Sequence, residues 1–350
     1  MRCTNCMALL RATSAIFLMA VPAMLMAQEH RTIKAGGVVV SVAYSPNGNM
    51  LAAGHWHDDK PLRWWRVSDL QPLAGLLGHV VQVRGFPPET ISAVRAVVFS
   101  SDGKTIFTSG DDDRIRKWDV QGKREVAILG NHMGGRVLGS QILCLEISPD
   151  GKRLVSAGDG GMVVLWDISQ GKKLKTLKTD HRVSALSLSY SPDGKQILVT
   201  GNREDTIELW DADLINRLHV FPEASRYAVF APNEPLIGSI GENPIAGPLR
   251  SQALRTVTLW NTKTLKQVRQ IRIDERGDML AFAPRGHFVA IAMGDGAVAL
   301  HDTRSGRQLA VLRGHVRSVN DIAFSRDGRQ MATGSSDGTI RIWDVSRWTK

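Results

Sequence analysis

Cysteine is nearly absent: the 350 residues contain three, and two of these, Cys3 and Cys6, lie in the first six positions. Past residue 27 only Cys144 remains, which excludes an internal disulfide there and leaves packing as the source of stability. The same stretch has no apolar run of the roughly 18 to 20 residues that a spanning helix needs. It also lacks a Gly-rich phosphate loop, an H-E-x-x-H pair, a C-x-x-C-H haem attachment and any N-x-S/T acceptor. No nucleophile, base and orienting acid stand out as a catalytic set, so the expectation is a protein that is not an enzyme and needs no cofactor. Acidic residues are the minority, 34 against 44 Lys and Arg, for a formal charge of +10. That balance favours anionic partners or surfaces.

The first 27 residues differ from the rest. Arg2 and Arg11 are their only charges, and an apolar run from Ala15 to Met26 ends at Ala27, just before Gln28-Glu29-His30-Arg31. This is the layout of a secretory signal peptide cleaved after Ala27, and Pro22 interrupts the run against a membrane anchor. Cys3 and Cys6 then leave with the leader and are not a redox or metal pair. The sequence thus predicts a chain exported to a periplasm or outside the cell, with no transmembrane anchor after cleavage.

A turn tetrad recurs as SPNG (45–48), SSDG (100–103), SPDG (148–151), SPDG (191–194), APNE (231–234), APRG (283–286) and SRDG (325–328). Each is followed by an aromatic-polar pair: Trp65-Arg66, Trp118-Asp119, Trp166-Asp167, Trp210-Asp211, Trp260-Asn261, His301-Asp302 and Trp343-Asp344. These mark seven units, approximately 38–79, 91–132, 140–181, 182–224, 225–273, 274–315 and 316–350. Each unit reads as short strands, apolar at positions of either parity, between Asp-Gly reversals that supply positive φ. Such strands at regular spacing, with no helical pattern between them, predict radially stacked four-stranded antiparallel sheets.

These residues resemble the WD40-repeat family. The SPDG turns, the Gly-His pairs (Gly78-His79, Gly314-His315) and the Trp-Asp endings extend over residues 28–350 in seven copies. The resemblance implies an all-β, seven-bladed β-propeller with the first strand of each blade on the central channel. The seventh unit has no room for a fourth strand, and residues 29–37 resemble the outer-strand segment 307–315, so the N-terminal strand is expected to close the ring.

The resemblance also implies a structural network of His, Ser or Thr, Asp and Trp inside each blade. His315, Thr333, Asp337 and Trp343 match it in full, as do His79, Thr108, Asp112 and Trp118. One unit offers His132, Ser156 and Trp166 with Asp159 out of register, and another His181, Thr200 and Trp210 with Glu204 in place of the Asp. The fifth and sixth units are eroded, with His301 in the position of the Trp in the sixth. The first lacks the network altogether, since Ala52-Ala53 offers no hydroxyl.

Function is then expected on loops. Insertions at 55–61, 80–90, 133–139 and 241–255 all enlarge one face in the family's geometry. Trp56, His57, Arg84, Phe86, Arg136, Arg250 and Arg255 are the candidate partner contacts there, because exposed aromatic and arginine side chains make efficient protein contacts. His55, His57 and Asp58 are the weak candidates for a metal, and Asp111-Asp112-Asp113 alternate in direction and do not converge on a cation. The opposite face carries Lys104, Lys123, Lys152, Lys172, Lys173 and Lys195, which could be drawn to an anionic envelope surface. The leading expectation is an exported, non-enzymatic scaffold for one or more proteins. The alternative is an enzyme or a small-ligand or metal binder at the mouth of the channel. Nucleic acid is not an expected partner, for want of an aromatic-basic stacking pattern.

Overall fold

Alternating apolar strands and Asp-Gly turns fold into seven blades around a central channel. A computed structural model describes residues 30–82, 90–132, 141–179, 185–201, 206–242, 255–273 and 277–349. The expected leader, and with it the expected cleavage position, lies outside the described residues. No helix among them is long and apolar enough to cross a membrane.

Blade 1 is β2(Val38–Tyr44), β3(Met50–Trp56), β4(Leu62–Arg66) and β5(Pro72–Leu76). A two-stranded ribbon, β6(Val80–Gln82) and β7(Thr90–Ser92), precedes blade 2, which is β8(Val94–Phe99), β9(Thr105–Gly110), β10(Arg114–Asp119) and β11(Arg124–Asn131). Blade 3 is β12(Ile142–Ile147), β13(Arg153–Gly158), β14(Met162–Asp167) and β15(Lys172–Lys178). Blade 4 begins with β16(Ala185–Tyr190), β17(Gln196–Gly201) and β18(Thr206–Asp211). Its outer strand runs on without a break: β19(Arg217–Phe230) pairs with β18 up to Ala224 and from Ser225 with β20(Leu236–Glu242). Blade 5 continues with β21(Arg255–Asn261) and β22(Gln267–Ile273). Blade 6 is β23(Gly277–Phe282), β24(Phe288–Met293), β25(Val298–Asp302) and β26(Gln308–Leu312).

Blade 7 supplies three strands, β27(Val319–Phe324), β28(Gln330–Ser335) and β29(Thr339–Asp344), and its fourth is β1(His30–Lys34). β1 pairs antiparallel with β29, Ile33 opposite Ile340, so segments from opposite ends of the sequence close the ring by hydrogen bonds and the β29 edge is covered.

The turn tetrads explain themselves chemically. In SSDG, SPDG, SPDG and SRDG the serine hydroxyl donates to the aspartate Oδ1 at 2.6 Å, and the glycine takes a φ near +70° that a side chain would strain. Ala231 and Ala283 replace the serine in blades 5 and 6, so this clasp is missing there.

The core is not one body of apolar side chains but seven, each lying between two neighbouring blades. Both faces of every sheet are therefore buried, which is why the strands lack polar alternation. Between the innermost strands, where no backbone ladder forms, side chains bridge the blades. The Val42 amide donates to Asp321 Oδ2 at 2.7 Å, that of Val97 to the Ser41 hydroxyl at 3.3 Å, that of Tyr190 to Glu146 Oε2 at 2.8 Å, and that of Phe230 to the Ser189 hydroxyl at 3.1 Å.

Candidate functional site

The repeated polar residues are used within the blades. In blade 2 the Trp118 indole donates to Thr108 Oγ1 at 2.7 Å, and that hydroxyl lies 2.7 Å from His79 Nε2. The Asp112 carboxylate can only accept, so His79 Nδ1 carries the proton and donates to Oδ1 at 2.6 Å; the Nε2 of the neutral ring is then an acceptor, and the Thr108 hydroxyl donates to it. Burial holds the His79 pKa below its ordinary value against the pull of Asp112, consistent with a neutral ring. Blade 7 repeats this chain through Trp343, Thr333, His315 and Asp337, at 2.9, 2.7 and 3.0 Å.

The other blades depart from it. In blade 3 Trp166 donates to Ser156 at 2.8 Å and Ser156 meets His132 Nε2 at 2.7 Å, while Asp159 accepts from the Gln141 amide. Burial lowers the His132 pKa to about 4. In blade 4 the Trp210 indole donates at 2.8 Å to Glu208 Oε2 and not to Thr200 as expected, because Glu208 stands two residues back on the same strand and face. His181 and Glu204 lie outside the described residues. Blade 5 keeps half the network, Trp260 donating to Ser239 at 3.0 Å, and in blade 6 His301 Nδ1 meets the Gly306 carbonyl at 3.1 Å.

Three features of the 54–67 stretch correct the sequence reading. His55 is not in a loop: β3 extends through it, and the strand's period of two places it on the same side as Leu51 and Ala53, wholly buried. Its ring meets Trp65 edge-on at 6.2 Å, its Nδ1 lies 3.2 Å from the Pro61 carbonyl, and burial lowers its pKa to about 4. Asp58 is engaged too. It accepts from the Gly37 and Lys60 amides at 2.7 and 2.8 Å and from Arg63 at 2.5 Å. Burial pushes its pKa up, but those bonds outweigh burial and hold the carboxyl well below the usual carboxylate range. His57, at φ +55°, stacks on Trp56 with ring centroids 4.4 Å apart. The three weak metal candidates therefore point to three different environments. Among the described residues no three His, Cys, Asp or Glu side chains gather as ligands.

Asp111, Asp112 and Asp113 are likewise separately engaged, with Arg95 at 2.7 Å, with His79 and Arg116, and with the His132 amide at 3.1 Å. Arg255, expected on a loop, is buried in β21 opposite Glu242 and Ile273, because that strand starts earlier than the insertion suggested. Arg84, Phe86, Arg136 and Arg250 lie outside the described residues. Of the opposite-face lysines, all six are exposed, and Lys173 lies over the Trp166 ring at 5.4 Å.

What remains on the insertion-bearing face is a cluster around Trp56. The side chain is 37% exposed, Arg95 lies 5.4 Å over its ring, and a bridge to Ala93 joins it to the base of the β6–β7 ribbon. Arg95 also lines the channel, a cavity of about 580 Å³ bounded by the first strands of all seven blades. Cation, aromatic ring and ribbon thus meet at one mouth of the channel.

Sequence reasoning missed two channel acids. Glu146 and Asp321 each receive an amide of the next blade, and burial raises their pKa values to about 8 and about 7 against that hydrogen bonding. The available signal was an ionisable residue within an innermost, otherwise apolar strand. A carboxyl whose folded pKa is raised contributes stability that is fully present below its unfolded value near 4 and is lost as pH rises through the folded value. The protein is therefore expected to lose about 2–3 kcal/mol between pH 6.5 and 8.5, the larger part through Glu146. In Glu146→Gln that slope should flatten. Melting temperatures across this window check it, and a wild-type curve flat in pH would contradict it.

Comparison with known proteins bears on what such a ring does. The model of the family described as "WD domain, G-beta repeat" matches residues 28–65, 72–119, 125–167, 171–211 and 306–344. The unmatched stretch between 211 and 306 contains blade 5 and the first three strands of blade 6, the two blades where the serine clasp is lost. The chain is 27% identical over 178 residues to a guanine nucleotide-binding protein subunit beta of Oryza sativa subsp. indica, covering 48% of this chain and 46% of that protein. It is 37% identical over 79 residues to COMPASS component SWD1 of Saccharomyces cerevisiae, covering 21% and 18%. Over 160 residues it is 24% identical to the serine-threonine kinase receptor-associated protein of Gallus gallus, covering 45% and 41%. Each alignment spans less than half the relative's own length.

Proposed function

The chain belongs to the WD domain, G-beta repeat family, and from that premise we propose that it is an exported, non-enzymatic interaction scaffold that docks a partner protein on the Trp56 face. The relatives support the general class: they are named as a subunit, a component and a receptor-associated protein, each a name for something that works in company. The observation that carries the choice of face is the exposed Trp56 under Arg95, bridged to Ala93 at the base of the β6–β7 ribbon. A rigid aromatic anchor with a neighbouring arginine is the combination that dominates binding energy at protein interfaces. The blade interiors are consumed by packing and by the Trp-Thr-His-Asp chains, which leaves surface loops to carry recognition.

Export rests on the leader at residues 1–27. The test of export is N-terminal sequencing of the protein recovered from cell fractions, with Gln28 expected as the first residue and an intact Met1 counting against it.

Trp56→Ala is expected to keep the fold within about 0.5 kcal/mol, since the ring is partly outside the core. It should cut recovery of the bound partner in a pull-down by on the order of tenfold or more. Replacing residues 83–89 with glycine and serine should act in the same direction. Undiminished recovery with both variants would move the partner surface elsewhere.

A further inference from the structure

The face opposite Trp56, formed by the first and third turns of each blade, has a cleft of about 1150 Å³ where blade 7 meets blade 1. Four arginines line it, Arg66, Arg285, Arg326 and Arg329, with Met50 and Leu73 as an apolar floor. We propose that this cleft binds an acidic peptide segment whose carboxylates pair with the arginines and whose apolar side chains cover the floor. The proposal concerns a different face from the Trp56 reading and stands or falls independently of it.

The repeat supplies its own baseline for these positions. Arg285 is the third residue of its turn tetrad, where four of the other six have aspartate. In those four the carboxylate clasps the serine hydroxyl at 2.6 Å, a bond arginine cannot accept. Arg326 is the second residue of its tetrad, where five others have proline, which preorganises the turn. Arg66 follows the blade tryptophan, where five other units have aspartate. Three departures from the repeat, each giving up an acid or a turn-forming residue for a cation, thus face one cleft. Local rules broken together without structural gain mark a functional surface.

The geometry gathers these charges. Gly328, at φ +72°, sits against Arg285 so closely that a Cβ there would lie 3.0 Å from the Arg285 Cβ. Arg285 is thereby held beside Arg326 and Arg329, which flank that glycine. Arg66 has an exposed partner in Asp69 at 2.8 Å, whereas neither Arg285 nor Arg326 has a carboxylate within ion-pair distance among the described residues. The acid in the cleft wall, Asp327, is held by the Ser325 hydroxyl at 2.6 Å and accepts from the Arg329 amide at 3.1 Å; Arg329 and Arg285 also attract it through space, so it offsets one of the four cations and leaves the cleft net positive. The cleft therefore offers guanidinium forks suited to carboxylates, above an apolar floor. A flat anionic membrane would meet the rim and leave the floor empty, and a peptide chain fits both.

The site also spans the closure of the ring. Arg31 of β1 donates to the Val67 and Ser68 carbonyls, at 2.7 and 3.1 Å, and both residues line the cleft. A ligand joining that wall to Arg326 and Arg329 should hold the seam shut.

The test uses the full propeller and a fluorescein-labelled eight-residue peptide of alternating glutamate and leucine, read by polarisation at low salt. Arg285→Asp and Arg326→Pro each restore the repeat's own residue and should fold at least as well as wild type. Each is expected to weaken binding on the order of tenfold, and the pair on the order of a hundredfold. Lys152→Glu, on the same face in blade 3, should leave binding unchanged. The bound peptide should also slow amide hydrogen exchange at Arg31–Lys34 in wild type and not in the double variant. Equal affinity across these variants would overturn the proposal. So would binding of phosphatidylglycerol vesicles in preference to the peptide and lost in the same variants, which would assign the cleft to a membrane surface.

Discussion

Ile33→Asp is expected to open the ring, lowering stability by about 4 kcal/mol or more, while Thr32→Asp one residue away in the same strand changes it by less than about 0.5 kcal/mol. Ile33 is 5% exposed and packs in the cluster between blades 7 and 1 with Val39, Leu51, Trp65 and Ile340. Thr32 alternates to the exposed side of β1. An aspartate at 33 both removes an apolar side chain from that cluster and brings in a carboxylate with no partner. The consequence is larger than for an equal change inside another blade, because among the described strands β1 is the one that completes a blade from the other end of the sequence. Its loss exposes the β29 edge and the flank of blade 1 together, so the variant should also self-associate. Urea denaturation and size-exclusion chromatography check both effects. Similar losses at 32 and 33 would show that β1 does not close the ring through its buried side.

Thr108→Val is expected to cost about 2–4 kcal/mol, and Ser109→Ala, its neighbour in β9, close to nothing. The Thr108 hydroxyl is the only link between the Trp118 indole and the His79 ring. Valine keeps the shape but leaves a buried donor on Trp118 and a buried acceptor on His79 unmet at once. The Ser109 hydroxyl is equally buried and has no hydrogen-bond partner, so alanine there removes a polar group that was already unsatisfied. Two adjacent hydroxyls with opposite expected effects separate the network from burial alone. Equal urea midpoints for the two variants would mean that the Trp118-Thr108-His79-Asp112 chain contributes no net stability.

Much of this architecture was legible because the repeat states it seven times. The serine and aspartate of SPDG are both visible, and their clasp is local, closed within three residues. The full networks of blades 2 and 7 were legible through the family resemblance, since His, Thr, Asp and Trp each stand at the offsets it implies within one sheet. The closing strand was legible through its likeness to residues 307–315.

Where the sequence misled, a strand's extent or a neighbouring blade was the reason. His55 sits among histidines and aspartates that look like a loop, yet β3 runs two residues further than the turn chemistry suggests and carries it into the core beside Trp65. Arg255 was hidden in the same way by the early start of β21. Trp210 finds Glu208 instead of Thr200 because a glutamate side chain can reach an indole two residues along its own strand. Glu146 and Asp321 were missed because only the packing of innermost strands side by side, with no backbone ladder between them, gives each an amide to receive.

The sequence by itself determined the number of blades, the position of each turn and which tryptophans anchor them, because these depend on interactions within a single repeat and the repeat is written out in order. The tertiary structure alone decided which loop residues face outward, which acids line the channel and where arginines from three blades converge, because those are distances between units far apart in sequence, set by the closing of the ring.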